Sequence, residues 1–321
     1  MNITKLTPFA VRTIWGGRKL IENYNVKTDL ENCAEAWMLS CFKDFESRAC
    51  GGEYGGMTMP EIIEKAGKGI LGKNAENFDD FPILIKFIDA ADDLSVQVHP
   101  DDEYAKQYNG GFGKTECWYI MDCEPGARII YGFKEKITTE EFAKAIEENR
   151  IEDVVNYVEV KKGDFFFIEA GTLHAICKGI LLAEVQQNSN VTFRAYDYNR
   201  FDAKCNGPRP LHVKETLDVT KCEPPCPSVP TLTKVEKLDG ATKTELVSFE
   251  LFSVNRVEID GTYKGLADEN SFVHIMVLDG CGRISCGGVT LDIAKGDGVF
   301  VPANAGEYAV EGKIEILESR V

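Results

Sequence analysis

Three short stretches bring together side chains that suit a metal ion. In the first stretch, Gln97 and His99 alternate with valines, so both point to the same face of a predicted strand. Glu116 begins a second predicted strand, and His174 follows an aromatic strand and a turn of small residues. Two neutral imidazoles, a carboxylate and an amide oxygen suit Zn²⁺ and leave a position open for water or substrate. The hypothesis is a metal site of Gln97, His99, Glu116 and His174.

The histidines also have a plainer interpretation. Taken singly, a histidine in a strand is more often a hydrogen-bonded structural residue than a ligand. The chain has four histidines, and two of them flank a strand that begins with glutamate. This combination resembles the two motifs of the cupin superfamily, of which the first supplies His and Glu and the second supplies His. His274 lies in an apolar run and is predicted to be a core or partner-facing residue.

The composition limits the class of protein and its partners. The chain has 321 residues, 36 Lys and Arg against 52 Asp and Glu, and a net charge of −16. An acidic surface argues against nucleic acid or an anionic membrane as a partner. The 11 cysteines are odd in number and lie partly in apolar runs, which is typical of reduced thiols. Since no signal or membrane-spanning pattern is visible, we expect a soluble cytoplasmic protein.

The elements that must position these side chains are mainly strands. Helices are predicted at 58–66, 101–109, 138–148 and 151–157, and a proline-rich linker is predicted over 221–238. Closely spaced strands with glycine turns follow the linker. The run from Gly296 to Glu307 repeats the spacing from Gly163 to His174, with glutamate in place of the histidine. The sequence therefore predicts two related β-barrel domains: a catalytic one over 1–230 and a degenerate, structural one over 231–321.

Several motifs in chain order resemble those of a known family. They are Trp15-Gly16-Gly17, Glu35 to Ser40, Leu94 to Asp101, Lys114 to Tyr119, Ala170 to Ile176 and Gln187 to Arg200. Together they resemble the short bacterial form of the type I mannose-6-phosphate isomerases, which belong to the cupin superfamily. The resemblance implies a mainly β fold with two cupin-type β-barrel (jelly-roll) domains and short helical insertions in the first. It also implies one Zn²⁺ per chain and interconversion of mannose 6-phosphate and fructose 6-phosphate.

The resemblance also implies roles for individual residues. The family's metal ligands fall on the four residues of the hypothesis above, and its catalytic arginine falls on Arg194. Lys114 matches a lysine two residues before the metal glutamate, and Ser95 matches a serine associated with phosphate. Arg200 is a further candidate for phosphate. A cationic neighbour lowers the pKa of an amine, which favours Lys114 as general base. A metal-bound hydroxide or a nearby carboxylate is an equal alternative, and a solvated Lys114 and a structural ion pair at Arg194 are the plainer interpretations.

Two other functions fit parts of the pattern. A cupin oxygenase would use Fe²⁺ in the same ligand set, because two histidines and a carboxylate also suit iron. A non-catalytic sugar-binding cupin would keep the fold without turnover. The isomerase is preferred because Lys114, Ser95 and Arg194 provide groups for a sugar phosphate. The expected partner is thus a sugar-phosphate substrate, and the protein is expected to be a monomer or a homodimer.

Overall fold

The computed structural model describes residues 1–203 and 205–321, which form mainly β-strands. The strands, labelled β1 to β22 in chain order, are Thr4–Thr7, Phe9–Val11, Glu35–Leu39, Arg48–Ala49, Ile83–Ala90, Val96–Val98, Glu116–Cys123, Arg128–Phe133, Val155–Glu159, Phe165–Ile168, His174–Ile176, Ile180–Gln187, Phe193–Tyr196, Phe201–Asp202, Gly207–Pro208, Thr231–Leu238, Ala241–Ser248, Ser253–Ala267, Val273–Cys286, Val289–Ala294, Gly298–Val301 and Gly306–Arg320. The mainly β fold class predicted from the sequence is confirmed. Closure of the strands into two cupin-type barrels stays a prediction.

The helices are few and short. Labelled α1 to α6, they are Lys19–Asn23, Met59–Ala66, Asp102–Asn109, Thr139–Glu147, Ile151–Val154 and Val213–Val219. At the start of α4, the hydroxyl of Thr138 accepts from the Glu141 amide at 3.1 Å, and the Glu141 carboxylate accepts from the Thr138 amide at 2.8 Å. This capping box pairs two amides that the helix itself leaves unpaired. Within the described residues, none of the helices has both the length and the apolar composition that crossing a membrane requires.

Two predicted elements differ from the structure. The helix predicted over 151–157 ends at Val154, and β9 begins at the next residue and pairs with β8. The linker predicted over 221–238 ends earlier, because Thr231–Leu238 forms β16 and pairs with β17. In both segments β-branched residues recur, and a neighbouring strand supplies hydrogen bonds that local composition does not reveal.

The chain forms two compact units that are discontinuous in sequence. The first comprises Met1–Val11, Arg18–Phe87 and Val229–Val321, and the second comprises Arg12–Gly17 and Ile88–Ser228. All the side chains predicted for the metal and substrate sites lie in the second unit. The division into functional domains at residue 230 stays a prediction.

The first unit contains a nine-stranded antiparallel sheet. Its strands follow the order β16-β17-β18-β22-β19-β21-β1-β4, with β20 beside β19. Alternate residues of the long strands form its apolar core, including Val257, Ile275, Val299 and Ile316, which have no solvent exposure. His274 lies on the opposite face of β19 from Ile275 and is also fully buried.

The second unit contains a five-stranded sheet in the order β13-β6-β11-β8-β9. One face of this sheet is apolar: Val96, Val98, Ala175 and Phe193 lie in a buried core that also includes Phe142 from α4. A second group of strands, in the order β10-β7-β12, carries Glu116 at the start of β7. Side chains alternate along a strand, so Gln97, His174 and Arg194 lie on the face of the five-stranded sheet opposite its apolar core.

Candidate metal centre

The centre of the five-stranded sheet sets the positions of three predicted site residues. Gln97 on β6 lies opposite His174 on β11 and opposite Arg194 on β13. Residues directly opposite each other in antiparallel strands share a face, with Cβ atoms about 5 Å apart. The register therefore arranges Arg194, Gln97 and His174 in a row on the face away from the apolar core. Tyr131 on β8 continues the row beside His174.

A buried group of two histidines and one carboxylate lies next to this row. His99, Glu116 and His174 each offer a ligand atom, and these atoms lie within 4.8 Å of one another. Glu116 Oε2 is 3.6 Å from His99 Nε2, and Glu116 Oε1 is 3.5 Å from His174 Nε2. Solvent exposure of the three residues is at most 1%. One carboxylate thus faces two imidazole nitrogens in a site closed to bulk water.

The tautomers of both histidines follow from their other contacts. Nδ1 of His99 lies 2.8 Å from the carbonyl of Val191, and Nδ1 of His174 lies 2.8 Å from the carbonyl of Thr172. A carbonyl oxygen only accepts, so both Nδ1 atoms carry the proton and donate. The lone pair of each Nε2 therefore points toward Glu116. Backbone contacts of this kind are what orients histidine ligands in metal sites.

Burial keeps the imidazole of His174 in the neutral form that binds metal. Desolvation lowers the pKa of His174 to about 4. A neutral Nε2 lone pair and a carboxylate oxygen repel each other at 3.5 Å unless a positive charge lies between or beside them. The donor set, two neutral imidazoles and a carboxylate, fits a divalent cation.

Lys114 places a positive charge beside this group of two imidazoles and a carboxylate. Its ammonium lies 3.0 Å from His99 Nε2, to which it donates, and it also donates to the carboxylate of Glu116. Lys114 is only 5% exposed. The alternative interpretation of Lys114 as a solvated surface residue is therefore excluded. A metal ion bound by the same carboxylate would compete with this ammonium.

Gln97 lies beside the histidine and carboxylate group with its amide nitrogen inward. Its Nε2 is 3.5 Å from His174 Nε2, and its Oε1 accepts from the Ser95 hydroxyl at 3.4 Å. Rotating the amide by half a turn exchanges the two atoms with little change of shape. The predicted role of Gln97 as an oxygen ligand requires this rotation.

Arg194 lies on the same face, and among the described residues no carboxylate forms an ion pair with its guanidinium. Its Nη1 is 3.4 Å from the carbonyl of Pro210, and its buried Nε has no hydrogen-bond partner among the described residues. Burial, and secondarily the positive charge of Arg209, lowers the pKa of Arg194. A half-buried guanidinium without a carboxylate partner is suited to an anionic ligand.

Arg200, by contrast, is engaged in structural contacts. Its guanidinium donates to a carboxylate oxygen of Asp197 at 2.6 Å and to the backbone carbonyl of Asp93. Asp197 also accepts two hydrogen bonds from Arg209, at 2.6 and 2.7 Å. A phosphate at Arg200 would have to compete with Asp197. Its predicted role in substrate binding stays a prediction.

Two further residues of the site were missed by the sequence analysis. The ring of Trp118 packs edge-on against His174, with centroids 5.4 Å apart. Its indole nitrogen donates to the buried carboxylate of Glu184 at 2.9 Å. The available signal was Glu184 itself, a charged residue in the middle of the apolar run that forms β12.

The fold and this site define a class of protein: a mainly β enzyme with a buried metal-binding centre beside cationic side chains. The sequence profile for the phosphomannose isomerase type I catalytic domain matches residues 3–128. The profile for the mannose-6-phosphate isomerase cupin domain matches residues 242–321. The Bacillus subtilis protein named mannose-6-phosphate isomerase ManA is 38% identical over 318 residues, which cover 98% of this chain and 97% of that protein.

Solved structures agree with the profiles. The crystal structure of the mannose 6-phosphate isomerase from Bacillus subtilis matches with a TM-score of 0.92 at 32% identity and covers 100% of both chains. A mannose 6-phosphate isomerase described as bound with zinc and yttrium shares the fold, with a TM-score of 0.77 at 18% identity over 99% of both chains. The chain belongs to the type I mannose-6-phosphate isomerase family and is an isomerase. The resemblance inferred from the motifs is thereby confirmed.

Proposed function

We propose that the chain interconverts mannose 6-phosphate and fructose 6-phosphate through an enediol, with Zn²⁺ as its cofactor. The observation that carries this proposal is the convergence of two imidazole lone pairs on one buried carboxylate. This group lies next to a lysine and on the same side as an arginine without a carboxylate partner. The family assignment supports an isomerase over the iron oxygenase and the non-catalytic sugar-binding protein.

The donor set supports zinc as the cofactor. His99, His174 and Glu116 would hold the ion, and Gln97 would join them through its amide oxygen. Zn²⁺ prefers imidazole nitrogen and carboxylate oxygen in such sites, although iron also accepts this set. When bound, the ion would supply Lewis acidity for the carbonyl and hydroxyl oxygens of the sugar. Zinc in a protein of the same fold is consistent with this choice.

The remaining side chains handle the proton and the negative charge. Aldose–ketose isomerisation moves a proton between neighbouring carbons, and negative charge develops on oxygen in the transition state. Arg194 would stabilise that charge or bind the phosphate, because its guanidinium is half-buried and forms no ion pair with a carboxylate of the described residues. Ser95 would contact the phosphate. Lys114 is proposed as the base, because its buried side chain lies within the candidate metal centre, in contact with His99 Nε2 and the carboxylate of Glu116.

A reconstitution assay tests this proposal. The protein is stripped with a chelator and assayed with mannose 6-phosphate, with fructose 6-phosphate followed by a coupling enzyme. We expect activity to disappear on stripping and to return with Zn²⁺. Full activity of the stripped protein, or recovery only with Fe²⁺ accompanied by oxygen consumption, would refute zinc dependence. Sugar binding without turnover in the zinc-loaded protein would refute the catalytic proposal.

A cytoplasmic location is also proposed. The cysteines of the chain are free thiols, and Cys33, Cys117 and Cys177 are buried among apolar residues. Free thiols are typical of a reducing compartment. The redox state of the purified protein, measured by thiol titration directly after lysis, tests this expectation.

A further inference from the structure

The strand β16 is an exposed edge of the nine-stranded sheet. Among the described residues it pairs on one side only, with β17. Seven of its eight residues are exposed, including Val235 at 62% and Leu238 at 39%. The free side of such a strand presents unpaired backbone donors and acceptors, which makes it a template for another strand.

The sequence of β16 is complementary to itself when two copies run antiparallel. In an antiparallel pair related by a two-fold axis, one residue lies opposite its own copy, and its neighbours pair reciprocally. With Val235 at the axis, Lys234 lies opposite Glu236 of the second copy, and Glu236 lies opposite Lys234 of the second copy. Two opposite-charge pairs then flank a contact between two valines.

Neighbouring registers lack this complementarity. An axis at Lys234 or at Lys237 places two identical lysines face to face, and an axis at Glu236 does the same with two glutamates. Like charges directly opposite each other in a sheet are destabilising, whereas opposite charges and apolar pairs are stabilising. The charge pattern of β16 therefore selects the register centred on Val235.

We propose that this chain forms a homodimer by antiparallel pairing of β16 with β16 of a second copy, with the two-fold axis at Val235. The dimer would join the two nine-stranded sheets into one continuous sheet. Pairing satisfies the backbone groups of the free edge around the axis and covers Val235. A second copy is the partner proposed for this edge, because its own Glu236 and Lys234 lie opposite Lys234 and Glu236 of the first copy.

Charge reversal tests the register directly. Sedimentation equilibrium over a range of concentrations measures the dissociation constant of wild type, Lys234→Glu, Glu236→Lys and an equimolar mixture of the two variants. Each single variant places like charges opposite each other twice. We therefore expect its dissociation constant to be about tenfold higher than that of wild type. The mixture pairs the two glutamates of one chain with the two lysines of the other, so it should form a heterodimer with about the wild-type dissociation constant. A double variant in one chain is unsuitable, because Lys234 and Glu236 also lie opposite Glu245 and Lys243 of β17.

The control is Lys68→Glu, which changes the net charge equally at an exposed position of the same unit. It should leave the dissociation constant unchanged. Circular dichroism verifies that each variant is folded. The proposal is wrong if wild type is monomeric at every concentration, or if it dimerises and the single variants have no effect. It is equally wrong if the mixture fails to recover, since another surface would then carry the dimer.

Discussion

Replacing Lys114 by methionine should lower the free energy of unfolding of the metal-free protein and increase its affinity for Zn²⁺. In the structure the ammonium of Lys114 compensates the charge of Glu116 and donates to His99 Nε2 at 3.0 Å. Methionine has a similar length and removes only the charge and the donors. The carboxylate then lies buried without its cation. A bound divalent ion would provide the missing positive charge, so the variant should depend on the metal more strongly than wild type.

The size of the effect follows from the burial of the pair. The side chains of Lys114 and Glu116 are 6% and 1% exposed, so water screens their interaction poorly. Removing one partner of a buried ion pair costs about 3–5 kcal/mol. We expect the metal-free variant to lose about 3 kcal/mol in free energy of unfolding. If Zn²⁺ recovers about half of that loss, its dissociation constant falls about tenfold.

Denaturant unfolding of the stripped protein and competition with a zinc-binding dye measure the two quantities. The control is Lys136→Met, which removes a lysine that is 78% exposed and pairs with Glu223 at 3.2 Å. An exposed ion pair contributes little, so this control should resemble wild type in both assays. Unchanged stability of the stripped Lys114→Met protein, or weaker zinc binding by it, would show that Lys114 does not compensate Glu116.

Three further predictions concern single side chains. His99→Ala removes one of the converging nitrogens and should lower both zinc content, measured by atomic absorption, and activity; a zinc-loaded, active variant would contradict the ligand set. Arg194→Lys keeps the charge but loses the planar guanidinium, so zinc content should be unchanged while kcat falls at least about tenfold; an unaltered kcat would contradict the proposed role. Burial lowers the pKa of His274 to about 3, and neither ring nitrogen has a hydrogen-bond partner among the described residues. Because the unfolded state takes up a proton below about pH 6.5 and the folded state does not, stability falls as the pH drops toward 3. This proton uptake lowers the free energy of unfolding of wild type by about 2 kcal/mol at pH 5. Denaturant unfolding at pH 5 and 7.5 should show that this decrease is absent in His274→Leu.

The alternation of residues along short strands was enough to predict much of the site. Gln97 and His99 were assigned to one face of a strand because valines occupy the other, and the structure places those valines in an apolar core. The capping box at Thr138 was equally local, since both of its hydrogen bonds join residues three positions apart. Local patterns failed where a distant strand decided the outcome, as at Val155–Glu159, which pairs with Arg128–Phe133.

Other features of the site depend on contacts between residues far apart in the chain. The edge-on packing of Trp118 on His174 and the bond from Trp118 to Glu184 join different strands, and the hydrogen bond from Lys114 to His99 joins residues 15 positions apart. The engagement of Arg200 with Asp197 was likewise not visible in the residue pattern, although the two are only three positions apart. Each arginine in that stretch offered the same charge, and only the fold distinguished Arg194, without a carboxylate partner, from Arg200.

The sequence by itself determined the family, the mainly β class and the identity of the candidate ligands, because these follow from residue types at fixed spacings along single strands. Tertiary structure decided which nitrogen of each histidine faces the carboxylate, which cation compensates that carboxylate and which arginine keeps its charge available. These properties depend on the backbone carbonyls and side chains that meet each group in space. Burial then sets their energetic weight, because a charge or a lone pair removed from water must find its partner within the protein.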